Sequence, residues 1–355
     1  MTKILVTGAG SVQSNGAINS FLRSPQREEI IGMGSDPMDL ALCKARKKYL
    51  VPYSTASGYK EALLKVLALE KPDMIHFQHD LELFSAMQFR DEIEATGVKL
   101  FAPSNEVIDV CVHKYKTWEK FHAAGVKVPR NIVINNEADL ERAFAELGDH
   151  EGKIWLRAAD IGAGGKGSFP TSEFAAAKKW IDSYDGWGEF LAAEMLTSNS
   201  VTWLSIWNEG ELVVAQGRKR LGWAHSSRSI SGVTGITKIG VTCADPEVDA
   251  IAMKSIKSVS EKPHGIFGVD MTYDRAGVPN PTEINISRFF ATILFFTEAG
   301  LNMPLILKDI ALYGKLPCLA QKINPLPSGL MWLRGMDALP RLATEEEVFR
   351  ELILV

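Results

Sequence analysis

The chain has 355 residues, 46% of them hydrophobic and 23% charged, with a formal net charge of −4. That is the balance of a globular protein of two or three domains, and it offers no electrostatic reason to bind nucleic acid or a membrane surface. No apolar run approaches the roughly 20 residues needed to span a bilayer.

Met1-Thr-Lys-Ile-Leu-Val-Thr-Gly enters a strand-like run directly, without signal-peptide architecture, which predicts a cytoplasmic protein. The first hundred residues then alternate. Strands are expected at Lys3–Thr7, Ile30–Met33, Asp73–Phe77 and Lys99–Phe101. Helices are expected at Gln13–Leu22, Asp39–Lys48, Tyr59–Glu70 and Leu81–Glu94. Such alternation predicts a parallel, doubly wound α/β sheet whose ligands meet the carboxyl ends of its strands. Gly8, Gly10, Asp36 and His79-Asp80-Leu-Glu82 fall there, with His79, Asp80 and Glu82 expected to face a cleft. Gly8-Ala-Gly10-Ser-Val-Gln13 lacks the third glycine of a dinucleotide fingerprint. It reads equally as a tight strand-to-helix turn, and a nicotinamide-dependent oxidoreductase is the weakest of the functional readings.

A helix over Lys114–Ala124 is stopped by Gly125, with Pro129 beyond. After it the pattern becomes α+β. A strand at Lys153–Arg157 leads into Gly162-Ala-Gly164-Gly165-Lys166-Gly167, whose free backbone suits a phosphate cradle or a mobile hairpin tip. A helix over Glu173–Ser183 follows, with Thr171 or Ser172 as its cap. Strands are expected at Phe190–Glu194, Val201–Trp207 and Glu211–Arg218, the last two joined by an Asn208-Glu-Gly210 turn. Trp203 and Trp207 share a strand face and read as core. Arg218-Lys219-Arg220 reads as a solvated face. Asp245-Pro246 opens a helix to about Val259, and two more helices are expected near Ile293–Ala299 and Leu305–Tyr313. The four cysteines are scattered and read as buried thiols in a reducing compartment.

The strongest signal is Gly268-Val-Asp270-Met-Thr-Tyr-Asp274-Arg-Ala-Gly277 followed by Pro281-Thr-Glu283-Ile-Asn285-Ile-Ser-Arg288. Folded as a hairpin, it brings Asp270, Glu283 and Asn285 to one face. Hard cations such as Mg²⁺ take oxygen ligands of this type, and an unpartnered carboxylate in so apolar a setting would cost several kcal/mol, by order of magnitude.

The order of these motifs resembles the ATP-grasp superfamily, and within it a single synthetase unit of the carbamoyl-phosphate synthetase large-chain type. The resemblance covers about residues 1–315. It implies a Rossmann-like pre-ATP-grasp domain at 1–110, small and large ATP-grasp subdomains at 111–190 and 191–315, and a C-terminal extension at 316–355. It implies ATP held by Lys114, Arg157, Gly164, Gly165, Lys166, Gly167, Glu194 and His225. Mg²⁺, or Mn²⁺, would sit on Asp270, Glu283 and Asn285, and Arg157 and Arg288 would act at the reacting groups. The implied activity is a ligase joining a small carboxylic acid to an amine, or to a thiol, through an acyl phosphate; a homo-oligomer is compatible with it. Two departures stand out. Ser200 or Val201 replaces the second acid after Glu194, and Arg288 arrives one residue late. Both motivate the alternative, a non-catalytic or regulatory ATP-binding module derived from such a ligase.

Overall fold

The computed structural model describes residues 2–158, 167–224, 236–335, 341–344 and 346–347. Its first sheet is built from β1 (Lys3–Val6), α1 (Val12–Leu22), β2 (Glu29–Gly34), α2 (Pro37–Leu42), β3 (Lys47–Leu50), α3 (Tyr59–Glu70), β4 (Met74–His76), α4 (Asp80–Ala86), α5 (Arg90–Ala95) and β5 (Lys99–Leu100). The strand order is β3-β2-β1-β4-β5, with every pair parallel. This is the α/β domain the alternation predicts. Ile4, Leu5, Val6, Ile31 and Ile75 are buried, as a sheet covered on both faces requires.

Two expected helices are corrected. The helix expected over Asp39–Lys48 ends at Leu42, and Lys47–Leu50 pairs instead with Ile31–Gly34. Asp36 caps the short helix by accepting from the Met38 and Asp39 amides, and Pro37 fixes its first turn. Lys47, Lys48 and Leu50 are exposed on the edge strand, so the sheet ladder, not burial, sets the local conformation. The helix expected over Leu81–Glu94 breaks into α4, a 3₁₀ turn at Met87–Phe89, and α5. Phe89 leaves helical geometry at φ −134°, ψ 38°, and its ring packs edge-on against Tyr59.

Helices α6 (Asn105–Val112) and α7 (Lys114–Ala123) follow. The sequence reading omitted α6, which Ser104 caps. Gly125, at φ +64°, closes α7 in the left-handed conformation expected of it.

The second sheet comprises β6 (Asn131–Ile134), β7 (Ile154–Ala158), β8 (Phe169–Thr171) and β9 (Phe190–Glu194) in the order β6-β9-β7-β8, all antiparallel. Helices α8 (Glu137–Leu147) and α9 (Phe174–Ser183) bury Leu140, Ala143 and Ile181 with Ile154 and Leu156 of this sheet. The cap of α9 is Glu173, not Thr171 or Ser172; Thr171 Oγ1 instead accepts from the Glu173 amide at 3.0 Å.

The third sheet has the order β14-β13-β10-β11-β12-β15-β16. Its strands are β10 (Ser200–Asn208), β11 (Glu211–Ala224), β12 (Ile236–Cys243), β13 (Gly265–Tyr273), β14 (Pro279–Ile286), β15 (Leu330–Leu333) and β16 (Arg341–Thr344). The β10–β11 turn carries Glu209 at φ +52° and Gly210 at φ +92°, the pair of positive φ values a two-residue hairpin needs. One face of β10 and β13 (Val201, Trp203, Val269, Met271) packs in the core that includes α10 (Pro246–Val259). The other (Leu204, Ile206, Ile266) packs with α11 (Ile293–Glu298) and α12 (Met303–Tyr313). Trp203 and Trp207 are core. The tail forms the β15–β16 hairpin, which lengthens this sheet beyond β12. Cys43, Cys111 and Cys243 are buried as expected, but Cys318 is exposed.

Candidate active site

The three sheets enclose a cleft of about 580 Å³. Its floor is the part of the large sheet that α11 and α12 leave open. Because strand side chains alternate, Thr202 shares a face with Leu204 and Ile206, and Asp270 shares one with Ile266. The face that is apolar at one end of the sheet is polar at the other.

Asp270 and Glu283 are direct register partners on β13 and β14, with a bulge immediately after. The sequence expectation that they meet is met in the backbone. Asp270 Oδ2 accepts from Asn285 Nδ2 at 3.0 Å, and Oδ1 accepts from the Thr202 hydroxyl. Burial alone would raise the Asp270 carboxyl, but Arg220 and the Thr202 hydroxyl hold it below the usual carboxylate range. Burial raises Glu283; Lys114 opposes that and the Asp270 charge adds to it. Glu283 is therefore a desolvated acid beside another acid, with no side-chain hydrogen bond among the described residues.

Asn285 joins Asp270 on this face as expected, but its amide oxygen is already engaged. Its Oδ1, the atom that would ligate a metal, accepts from Arg288 Nη2. Arg288 also donates from Nε to Asp80 Oδ1 at 2.6 Å. The extra residue ahead of Arg288 is absorbed by Ser287, at φ +55° in the left-handed region. Arg288 thus lines the cleft despite its shifted position.

Lys114 lies in the first turn of α7 and lines the cleft. Arg157, near the end of β7, reaches across to the Thr282 carbonyl at 3.4 Å. Its Nε is buried without a partner. Burial lowers the guanidinium pKa, and Glu283 partly offsets that. A half-buried guanidinium whose Nε is buried and unpaired asks for an anion. Glu194 ends β9 and is held by Arg130, Nε to Oε2 at 3.0 Å. Gly167, at φ +79°, accepts on its carbonyl from Trp180 Nε1 at 3.0 Å. Gly164, Gly165, Lys166 and His225 lie outside the described residues.

From the first domain, Gln78, His79 and Asp80 enter the cleft beyond the end of β4. Glu82 does not face it, contrary to expectation. It is buried inside the domain, accepts from Tyr59 OH at 2.9 Å, and is pushed up to about 7 by burial. The partial fingerprint is structural: Asp36 is a helix cap, and a Cβ on Gly10 would lie 1.8 Å from the Asp39 carbonyl oxygen. The turn therefore serves helix–strand packing.

The largest correction concerns Arg218-Lys219-Arg220. Arg218 is 1% exposed, and both arginines line the cleft. Their alternation with Lys219 was the available signal; a run of three cations hid it.

Among the described residues no three His, Cys, Asp or Glu side chains group as metal ligands. Asp270 and Glu283 supply two carboxylates, which suits a Mg²⁺ ion that takes its other ligands from phosphates and water. The raised Glu283 and the unpartnered Arg157 Nε are what such a metal–nucleotide pair would satisfy.

No protein-family profile matches the chain. A stretch of 177 residues is 25% identical to the phosphoribosylamine–glycine ligase of Mycobacterium leprae (strain TN), over 50% of this chain and 40% of the ligase. Another match, of 56 residues at 38% identity, is to the ADP-forming succinate–CoA ligase subunit beta of Dichelobacter nodosus, over 16% of this chain and 14% of the subunit. The chain spans less than half the length of these curated relatives. The carboxyaminoimidazole ribonucleotide synthase of Aspergillus clavatus, solved with ATP, superposes with a TM-score of 0.69 at 15% identity, covering 94% of this chain and 81% of that one. The chain has the ATP-grasp fold. Two further ATP-grasp structures agree. The L-amino acid ligase of Bacillus licheniformis superposes at TM-score 0.67 and 10% identity, over 94% of this chain and 79% of its own. The biotin carboxylase of Campylobacter jejuni superposes at 0.68 and 16%, over 93% and 74%.

Proposed function

We propose that this ATP-grasp chain is a ligase that activates a small carboxylic acid as an acyl phosphate and passes the acyl group to an amine, or to a thiol, releasing ADP. The observation that carries the proposal is the Asp270–Glu283 pair, two half-buried acids in register; Glu283 lies within electrostatic reach of Lys114 and Arg157. The motif order favours the carbamoyl-phosphate synthetase type of unit, and the activity belongs in the cytoplasm.

Asp270 and Glu283 would hold Mg²⁺ or Mn²⁺, with Asn285 joining them if its amide turns from Arg288. Held there, a metal would supply charge neutralisation for phosphoryl transfer. Lys114 and Arg157 grip the α- and β-phosphates, and Arg157 Nε gains its missing acceptor. The resemblance assigns Gly164, Gly165, Lys166 and Gly167 to the γ-phosphate, where excluding water would protect the acyl phosphate. Glu194 would face the adenine, and the resemblance assigns His225 to phosphate. The γ-phosphoryl group moves directly to a carboxylate oxygen, breaking its bond to ADP. The amine then attacks the acyl carbon, loses a proton and expels phosphate. Arg288 steadies the acyl oxygens. No protein nucleophile is needed.

The test is ADP and phosphate release against a panel of acids and amines. Acid-stimulated release by the wild type, abolished in Glu283→Ala, supports the proposal; no stimulated release by any pair sinks it. The alternative, a non-catalytic ATP-binding module, is favoured by Ser200, which stands where a ribose-contacting acid is expected and is hydrogen-bonded to Arg220 at 3.1 Å. It predicts ATP binding with no stimulated release.

A further inference from the structure

One row of side chains crosses the large sheet from acid to base. Glu283 is the register partner of Asp270, Asp270 of Thr202, and Thr202 of Arg218. Directly paired residues share a sheet face, so the row runs along the cleft floor over four strands. The acid end is used by the metal in the proposed reaction. The basic end has no role in it.

Arg218 Nη1 donates to Thr292 at 2.7 Å and Thr237 at 3.3 Å, and Nη2 donates to Thr202 at 2.8 Å. Its Nε is buried without a partner, and among the described residues no carboxylate pairs with it. Arg220, on the same face, donates to Thr237 at 3.0 Å and Ser200 at 3.1 Å. The guanidiniums lie over the rings of Phe290 and Trp223, 4.3 and 3.9 Å from the centroids. Hydroxyls and rings orient these cations but do not neutralise them. Among the described residues the two guanidiniums share one carboxylate: Asp270 pairs with Arg220 Nη2 at 3.7 Å and lies within electrostatic reach of Arg218. Two guanidiniums facing one carboxylate leave a positive charge uncompensated away from water, which is costly, so their retention needs a reason. The sheet also leaves room for it: a Cβ on Gly240 would lie 3.1 Å from Arg218 Cδ.

We propose that Arg218 and Arg220 hold a second anionic group on the acid substrate, a carboxylate or a phosphate, so that the substrate carries two anionic groups. The proposal rests on the ligase reading. Guanidiniums backed by aromatic rings present their N–H edges in plane, which suits both anions. Asp270 and Arg218 are two strands apart, roughly 10 Å at the backbone, and the long arginine side chains shorten that gap. A short acid can then place one carboxylate by the metal and its other charge on the arginines.

The test is calorimetric titration at fixed ionic strength with succinate, phosphoglycolate and butyrate, with and without MgADP. Butyrate matches succinate in length but carries one charge. Succinate or phosphoglycolate should bind about tenfold or more tighter than butyrate. That preference should vanish in Arg220→Gln and weaken in Gly240→Ala, which removes no charged group. Preference for succinate identifies a carboxylate, and preference for phosphoglycolate a phosphate. Equal or absent binding of all three, or a preference that survives in Arg220→Gln, overturns the proposal. Failure of MgADP to bind overturns the ligase reading instead, and the nucleotide-free titrations still decide the anion site.

Discussion

Arg288 Nε donates to Asp80 Oδ1 at 2.6 Å, which joins the segment just past β14 to the first residue of α4. The same guanidinium donates to Asn285. A residue of the first domain therefore aims the cation assigned to the acyl group. Asp80→Ala should cut acid-stimulated ADP release by about tenfold. The pair is partly exposed, so the stability cost should be about 1 kcal/mol or less. Steady-state kinetics and a melting curve together check this; unchanged kcat/KM would remove Asp80 from the mechanism.

Glu283 should trade stability for function. Burial and the Asp270 charge raise its carboxyl, so its ionised form is penalised in the folded protein at neutral pH. Glu283→Gln should abolish stimulated ADP release yet raise the melting temperature of the nucleotide-free protein. The gain should disappear near pH 4, where an ordinary Glu is largely protonated in the unfolded chain as well. Calorimetric scans at the two pH values decide it, and a lower melting temperature at neutral pH would contradict it.

Glu82 provides a pH signature away from the cleft. Its carboxyl is pushed from 4.5 to about 7 by burial. A raised carboxyl pKa means the folded state holds a proton that the unfolded state has released. Stability is therefore lost as pH rises from about 4.5 to 7 and is constant above that. The full effect is on the order of 3 kcal/mol. Glu82→Gln keeps an acceptor for Tyr59 and should flatten the profile. Urea unfolding at pH 5 and pH 8 measures it; parallel profiles for the two proteins would refute the assignment.

Gly10→Ala should be severely destabilising. The added Cβ meets the Asp39 carbonyl oxygen at 1.8 Å, and φ is +91°. Backbone overlap and strain together should cost more than about 3 kcal/mol. Gly277→Ala, also at positive φ but with open space around it, should cost less. Denaturant midpoints of the two variants rank them, and equal losses would show that packing against α2 is not the constraint.

Local signals in the chain carried much of the architecture. Asp245-Pro246, the Glu209-Gly210 turn and Gly125 each dictate backbone geometry within a few residues, so α10, the β10–β11 hairpin and the end of α7 were legible. The Asp270–Glu283 pairing was legible for the same reason, since a short hairpin fixes its own register. Strand β3 was not, because Lys47–Leu50 becomes a strand only by pairing with β2, and its own pattern suits a helix. Arg218 and Arg220 were misread because three adjacent cations look solvated until alternation on a buried strand turns two of them inward. Tertiary structure alone decided that Glu82 turns away from the cleft, that Asp80 reaches Arg288, and that Thr202 connects the acids to the arginines. Those contacts join residues far apart in the chain, and only the packing of the sheets sets their distance.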